Sequence, residues 1–339
     1  MKIVPVKEAV GMVLCHDVTR IVQGQEKGPA FKRGHVITGL DVEPLLDMGK
    51  ANVYVYDLAE GCVHEDDAAL RIASAAAGPG LQLTAPSEGR VNLMAARAGL
   101  LKVNRAALGE INTVEDVVFA TLHTNLPVDL DQAVGGTRIV PLVTPEANVR
   151  RVEFLCREHG PVIAVRALTP LRVGIVTTGS EVFHGRIEEA FGPVLRKKFA
   201  ELGCSVMGQT LVSADAPATA QAIRDWAARG AELVAVTGGM SVDPDDRTPS
   251  AIRATGARVV TYGAPVLPGA MFMLAYLGAV PIMGLPGCVM YHRTSIFDLV
   301  VPRILAGDVL TRADIVELGY GGFCAGCASC RYPNCGFGK

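Results

Sequence analysis

One stretch of the chain, residues 233–249, brings together the residue types that bind a phosphate group and a divalent cation. Its apolar run, Leu233–Thr237, has the length of a buried parallel strand and leads directly into Gly238 and Gly239. These glycines permit a sharp turn and the close approach of a ligand to backbone amides. The polar side chains that follow suit a phosphate and a shared Mg²⁺: Ser241, Asp243, Asp245, Asp246 and Thr248. An ordinary strand-to-helix loop, with Asp and Thr as capping residues, explains the same composition equally well.

Three more loops carry small or polar residues at the ends of other apolar runs. Thr178-Gly179-Ser180-Glu181 follows a predicted strand at 172–177, and Gly284-Leu285-Pro286-Gly287 follows a predicted strand at 280–283. A further loop, which contains Pro268 and Gly269, lies between two predicted strands. Because open parallel sheets bind ligands at the carboxyl ends of their strands, we expect these loops to meet at one site.

The elements that must position these loops alternate regularly from residue 168 onward. Helical spacing at 188–202, 216–229, 249–255 and 288–305 separates the predicted strands, and this pattern predicts a three-layer α/β domain with a mostly parallel sheet. Smaller modules precede it. We divide the chain into a β-rich module (1–57), an α+β middle region of unassigned type (58–166), the α/β domain (167–310) and a cysteine-rich tail (311–339).

Composition bounds the possible partners. The 339 residues carry a net charge of −2 and a single tryptophan, which gives no reason to expect a nucleic acid or an anionic membrane as partner. Residues 260–290 lack charge, but prolines and glycines interrupt them, so two buried strands are expected there and not a membrane span. The first residues do not resemble a signal peptide, and we expect a cytoplasmic protein.

Four cysteines close the chain with the spacing C-x2-C-x2-C-x4-C: Cys324, Cys327, Cys330 and Cys335. Four thiols in one short segment are typical of a metal site, and the first three have the spacing of iron–sulfur ligands. We predict an iron–sulfur cluster or Zn²⁺ here, with a slight preference for iron–sulfur. Disulfides, a disordered tail with free thiols, and docking or sulfur handling with a client enzyme are the alternatives.

Together the four loops resemble the molybdopterin-binding domain used in molybdenum-cofactor biosynthesis. The resemblance covers residues 172–305. It rests on Thr178-Gly179-Ser180-Glu181, on Thr237-Gly238-Gly239 with Asp246 and Thr248-Pro249, on Pro268-Gly269, and on Gly284-Leu285-Pro286-Gly287. The first module is also similar to the β-rich parts of molybdopterin molybdenumtransferases, through residues 8–17 and 31–37.

The resemblance implies a pocket for molybdopterin or its adenylylated form, with Mg²⁺ and molybdate chemistry. It implies that Gly238, Gly239 and the Pro286-Gly287 helix start hold the phosphate, and that Glu181 and Asp246 are the catalytic carboxylates. The remaining expected contacts to the pterin ligand are Thr178, Gly179, Ser180, Ser241, Asp243, Asp245, Thr248, Pro268 and Gly269. It further implies a homo-oligomer and a client molybdoenzyme as partners.

This chain departs from the transferases at three positions of the expected pocket. Ser180 stands where an acidic residue is common, Ala270 where a lysine is common, and Cys288 begins a pair where Asn-Pro is common. Loss of a cation weakens an anion site. The resemblance still favours Mg²⁺-dependent insertion of molybdate or tungstate, whereas the missing lysine and asparagine favour the first alternative, a non-catalytic molybdopterin carrier. Because residues 243–249 look closer to the competence-damage branch, a small-nucleotide pyrophosphatase is the second.

Overall fold

A computed structural model describes residues 2–20, 28–55 and 61–339. The chain folds into two compact units. The first comprises Met1–Arg97, Val103–Leu122 and Leu130–Val165, and the second comprises Ala98–Lys102, His123–Asp129 and Arg166–Lys339. The predicted boundary between residues 57 and 58 lies outside the described residues, and the four-part division of the chain stays a prediction.

Short strands and four helices make up the described chain as far as residue 166. The helices are α1 (Val42–Asp47), α2 (Glu65–Ala76), α3 (Arg105–Ile111) and α4 (Glu146–His159). The strands are β1 (Lys2–Pro5), β2 (Val18–Arg20), β3 (Gly28–Phe31), β4 (Asn52–Val55), β5 (Cys62–His64), β6 (Leu81–Leu83), β7 (Arg90–Ala95), β8 (Gly99–Val103), β9 (Val117–Thr121), β10 (Pro127–Val128), β11 (Ala133–Ile139), β12 (Val143–Pro145) and β13 (Ile163–Arg166). Strands β6, β7, β11 and β9 form an antiparallel sheet in that order, against which α2 packs.

A six-stranded sheet forms the centre of the second unit, within residues 166–339. Its strands are β14 (Arg172–Thr178), β15 (Ser205–Val212), β16 (Leu233–Thr237), β17 (Arg258–Tyr262), β18 (Met273–Leu277) and β19 (Val280–Leu285). They lie in the order β15-β14-β16-β19-β18-β17. The first four are parallel, and β18 and β17 complete the sheet in antiparallel fashion. The predicted mostly parallel sheet is confirmed.

Helices cover both faces of this sheet and give it three layers. They are α5 (Ser180–Phe183), α6 (Phe191–Glu201), α7 (Ala216–Ala228), α8 (Thr248–Ala254), α9 (Cys288–Tyr291), α10 (Ile296–Leu305) and α11 (Arg312–Glu317). Side chains alternate along β14: Ile175 belongs to the core with α6 and α10, and Val176 to the core with α7 and α8. None of the described helices combines the length and apolarity needed to cross a membrane.

The prediction of one continuous helix at 288–305 is wrong, because the structure has two helices there, α9 and α10, with a break between them. Ser295 begins α10: its hydroxyl accepts a hydrogen bond from the Phe297 amide (3.3 Å), and Asp298 accepts one from the Ser295 amide (2.8 Å). This capping box satisfies amides that a continuous helix would have bonded internally. The helix that follows Gly287 therefore has only four residues, too few for the strong dipole that a long helix would supply.

We expect Gly174→Ala to destabilise the second unit by about 2 kcal/mol. A Cβ atom at Gly174 would lie 2.6 Å from Cγ of Trp226, a buried residue of α7 that donates a hydrogen bond to Thr210 (3.1 Å). Urea unfolding should show a lower midpoint. Gly109→Ala is the matched control, because nothing lies within 4 Å of a Cβ at Gly109 in α3. Equal midpoints for Gly174→Ala and the wild type would contradict this packing argument.

Glu65 gives the first unit a pH-dependent stability. Glu65 is only 5% exposed, and burial, with Asp66 nearby, raises its pKa to about 7 against the partial compensation of Arg138. The folded state therefore binds this proton more tightly than the unfolded state. Stability from this group is complete below pH ~4.5, where both states are protonated, and is lost as pH rises to about 7.

Glu65→Gln should accordingly stabilise the protein by about 2 kcal/mol at pH 8 and change little at pH 4.5. Denaturant unfolding at both pH values measures the difference. Glu201→Gln, at an exposed position in α6, serves as control. A gain at pH 4.5 as large as the gain at pH 8 would show that the charge of Glu65 is not the cause.

Candidate functional site

A cavity of about 530 Å³ opens at the carboxyl ends of β16 and β19. Three loops and one helix line it. The loop after β16 contributes Gly238, Gly239, Met240, Ser241 and Asp246; residues 267–271 and 285–288 contribute the other two; and Phe191 comes from α6. The loops that the sequence placed at the strand ends after β16 and β19, together with the loop containing Pro268 and Gly269, therefore meet at one cavity.

The turn at Gly238 depends on the absence of a side chain. Gly238 has φ +80°, and a Cβ atom there would lie 1.8 Å from the carbonyl oxygen of Thr178, at the end of the neighbouring strand. The Thr248 hydroxyl donates to the Gly238 carbonyl (2.8 Å), and the Thr248 amide donates to the Gly239 carbonyl (3.1 Å). The buried hydroxyl of Thr248 is thus committed to holding the turn.

Polar side chains link three adjacent strands, β15, β14 and β16, near the carboxyl ends of β14 and β16. The hydroxyls of Thr177 and Thr237 lie 3.0 Å apart, and the Gln209 amide group donates to Thr177 Oγ1 (3.0 Å). Thr177 and Thr237 are buried, so these hydrogen bonds satisfy polar groups that would otherwise be costly to bury. They keep the strand ends in register where the loops begin.

Asp246 gives the cavity its charge. Its side chain is half-buried, its amide donates to the Asp243 carbonyl (2.9 Å), and its carboxylate accepts a hydrogen bond from the Asp243 amide (3.3 Å). Among the described residues that line the cavity, Asp246 is the only acid, and none is Lys or Arg. An anionic ligand in this cavity therefore needs a cation to offset the carboxylate.

The loop at 267–269 is held by a tight contact with α10. A Cβ atom at Gly269 would lie 2.5 Å from the Cβ of Ile296, and the Ile296 amide donates to the Pro268 carbonyl (3.2 Å). The Leu267–Pro268 peptide bond is cis. Ser295, which starts α10, therefore indirectly fixes one wall of the cavity.

Seven of the predicted site residues do not line this cavity: Thr178, Gly179, Ser180, Glu181, Asp243, Asp245 and Thr248. Glu181 is exposed in α5, with its carboxylate beside Gly179, and the Ser180 hydroxyl accepts a hydrogen bond from the Ala214 amide (3.4 Å). Asp243 and Asp245 are exposed on the outer side of the turn. Their roles toward a ligand stay predictions.

Sequence reasoning did not single out three of the apolar residues that line the cavity, Phe191, Met240 and Met271. Apolar side chains inside apolar runs carry no signature that separates a cavity wall from the core. Cys288, which drew attention only as a departure from the transferases, also lines the cavity, and burial raises the pKa of its thiol.

The residues of the cavity are compatible with a Mg²⁺ that is shared with a substrate phosphate, but not with a site in which the protein supplies every ligand. Within residues 2–20, 28–55 and 61–339, no three His, Cys, Asp or Glu side chains stand close enough together to hold a metal ion. Mg²⁺ usually takes one or two carboxylates and completes its shell with water and substrate phosphate. Asp246 suits that kind of site.

The four C-terminal cysteines line a second cavity, of about 630 Å³, and none forms a disulfide. The sulfur of Cys330 lies 3.2 Å from the Thr294 hydroxyl, and this hydrogen bond lowers the pKa of the thiol. As they stand, the thiols share a cavity without surrounding a common point. Their role as metal ligands stays a prediction.

Two regions of the chain match known families. Residues 174–306 match the family described as "Probable molybdopterin binding domain", and residues 3–57 match a "Domain of unknown function (DUF8806)". The chain is 38% identical over 78 residues to a CinA-like protein of Mycolicibacterium vanbaalenii, which is 23% of this chain and 18% of that protein. A CinA-like protein of Mycobacterium tuberculosis is 37% identical over the same length. The chain thus spans less than a fifth of the length of these relatives.

Solved structures give likenesses of lower identity. The molybdopterin biosynthesis enzyme MoaB of Thermus thermophilus is 24% identical with a TM-score of 0.34, over 41% of this chain and 98% of that one. The protein CinA of Thermoplasma acidophilum is 18% identical with a TM-score of 0.32, over 36% of this chain and 92% of that one. The family match, by contrast, covers the strands and loops that build the cavity at Gly238. Over residues 174–306 the chain therefore matches the molybdopterin-binding family, and the match includes the residues that line this cavity.

Proposed function

We propose that this protein acts in molybdenum-cofactor biosynthesis by binding molybdopterin, or its adenylylated form, in the cavity beside Gly238. There it promotes the Mg²⁺-dependent insertion of molybdate or tungstate. The observation that carries the proposal is a single carboxylate, Asp246, in a cavity that has no other acid and no Lys or Arg among its described lining residues and that lies at the ends of parallel strands.

The lining suits the two parts of such a ligand differently. Phe191, Met240 and Met271 offer apolar and polarisable surface to a flat heterocycle. Ser241 and the backbone amides of the glycine turn offer hydrogen bonds to a phosphate. A bound Mg²⁺ would neutralise phosphate charge and favour cleavage of the phosphoanhydride bond that releases AMP. Asp246 would hold that Mg²⁺, and through it the phosphate, beside the turn.

A non-catalytic carrier is the second candidate, and two observations favour it. No Lys or Arg is present among the described residues that line the cavity, and Glu181, the second predicted catalytic carboxylate, is exposed outside it. Catalysis of phosphoryl chemistry commonly uses such cations to stabilise developing charge. Turnover separates the two candidates: an enzyme releases AMP from adenylylated molybdopterin, whereas a carrier binds the ligand unchanged. Hydrolysis of ADP-ribose without any pterin would point instead to a nucleotide pyrophosphatase.

The partners expected from the sequence stay predictions. A homo-oligomer should appear in light scattering as a mass that is a multiple of 35.7 kDa. A client molybdoenzyme should be activated by the loaded protein faster than by free cofactor.

Asp246→Asn should reduce AMP release from adenylylated molybdopterin at least about 100-fold, because the cavity then lacks a charged ligand for Mg²⁺. Nucleotide analysis by chromatography measures the product. Asp245→Asn is the matched control, since Asp245 lies one residue away in the same turn but is exposed and outside the lining. If Asp246→Asn released AMP at the wild-type rate, or if both variants lost the same fraction of that rate, Asp246 would not be a catalytic residue.

Ala270→Lys should tighten binding of molybdopterin about tenfold, because it adds a cation to a wall of the cavity that holds a single carboxylate. Titration calorimetry measures the change. Ala270→Met adds similar length without charge and should not tighten binding. If the methionine variant gains as much affinity as the lysine variant, apolar contact is the cause and the charge argument fails.

A further inference from the structure

The cysteine-rich tail is docked on the second unit at several points. Phe337 is 4% exposed and belongs to the core that includes Phe297 and Leu299 of α10. The Tyr332 hydroxyl donates to the carbonyl of Asp298 in the same helix (3.0 Å). The Gly338 amide donates to the Gly321 carbonyl (2.9 Å), which closes the tail on itself. These contacts therefore hold the segment that carries the four cysteines against the second unit.

The cavity that these cysteines line is suited to an assembly of negative charge. Cys324, Cys327, Cys330 and Cys335 share it with Arg293, Arg331 and His292, and none of the described residues in its lining is Asp or Glu. Four thiolates around one Zn²⁺ carry a net charge of −2, and thiolate-bound iron–sulfur clusters are likewise anionic. Two arginines beside the thiols offset that charge.

The tail is also hydrogen-bonded to a wall of the cavity beside Gly238, which we call the cofactor cavity. The Leu267 amide donates to the Gly322 carbonyl (2.8 Å), and the Cys324 amide donates to the Leu267 carbonyl (2.8 Å). Leu267 lines the cofactor cavity, and Cys324 lines the thiol cavity. One parallel bridge between Leu267 and Phe323 therefore joins the two cavities through the backbone.

We propose that the four cysteines bind one thiolate-ligated metal centre and that this centre stiffens the Leu267 wall of the cofactor cavity. On binding, each thiol gives its proton to solvent and donates a sulfur lone pair to the metal. Cys327 is the exposed member of the set, and a side chain at the neighbouring Gly326 would meet nothing within 4 Å, so this part of the segment has room to bring the Cys327 thiol toward the other three. The effect on the cofactor cavity rests on the function proposed above; the metal centre does not.

Metal analysis of the full-length protein, purified without oxygen, tests the centre directly. We expect one Zn²⁺ per chain, or iron and acid-labile sulfide in equal amounts with visible absorption; these results distinguish the two sources. Metal-free protein should regain the same content with Zn²⁺ or with Fe²⁺ and sulfide. Cys327→Ser and Cys330→Ser should each lose most of the metal, whereas Cys62→Ser, a half-buried cysteine of the first unit, should keep it. No stoichiometric metal after either reconstitution, or full content in Cys327→Ser, overturns the proposal.

Amide hydrogen exchange tests the connection to the cofactor cavity without any pterin. Loading the tail with metal should slow exchange at the Leu267 and Cys324 amides, and metal removal should weaken molybdopterin binding about fivefold or more. Unchanged exchange at both amides would contradict the stiffening. Slower exchange in a protein that binds no molybdopterin would uphold the metal centre and its contact with Leu267 while rejecting the proposed function.

Discussion

The candidate site depends on how closely the turn after β16 approaches the end of β14. Gly238 lies so near the Thr178 carbonyl that a Cβ atom would be 1.8 Å from that oxygen, and Thr248 bonds the same turn from the other side. Together these contacts leave the Gly238 turn no room to shift. The position of this turn therefore depends on Gly238, which no other residue type could replace without a clash, and on the buried Thr248. Gly269, pressed against Ile296, fixes the opposite wall by the same kind of contact.

Much of this arrangement follows from the sequence because its signals are local. Apolar runs that end in glycines mark the carboxyl ends of parallel strands, and the geometry of the sheet brings those ends together. Among the three neighbouring acids of this turn only the resemblance singled out Asp246, and the folded turn adds that Asp246 lines the cavity whereas Asp245 is exposed. The break before α10 was missed although the sequence carries a signal for it, since Ser295 and Asp298 have the spacing of a capping box ahead of an apolar run.

The cysteine tail packs on the second unit through Phe337, which belongs to the core around α10. Two backbone hydrogen bonds join the tail to Leu267, so ordering of the tail also restricts the movement of this wall of the cofactor cavity. A cavity with one carboxylate and no Lys or Arg among its described lining residues holds an anionic ligand weakly by itself. Restricting a wall of such a cavity lowers the entropy lost on binding, which is one way to recover affinity.

Titration calorimetry with molybdopterin, with and without Mg²⁺, tests the central claim most directly. If Asp246 and a shared Mg²⁺ hold the phosphate, binding should be saturable with one ligand per chain and should weaken at least about tenfold when Mg²⁺ is removed. The Mg²⁺ dependence should vanish in Asp246→Asn. Absence of binding, or binding with the same affinity with and without Mg²⁺, would contradict the account of this cavity.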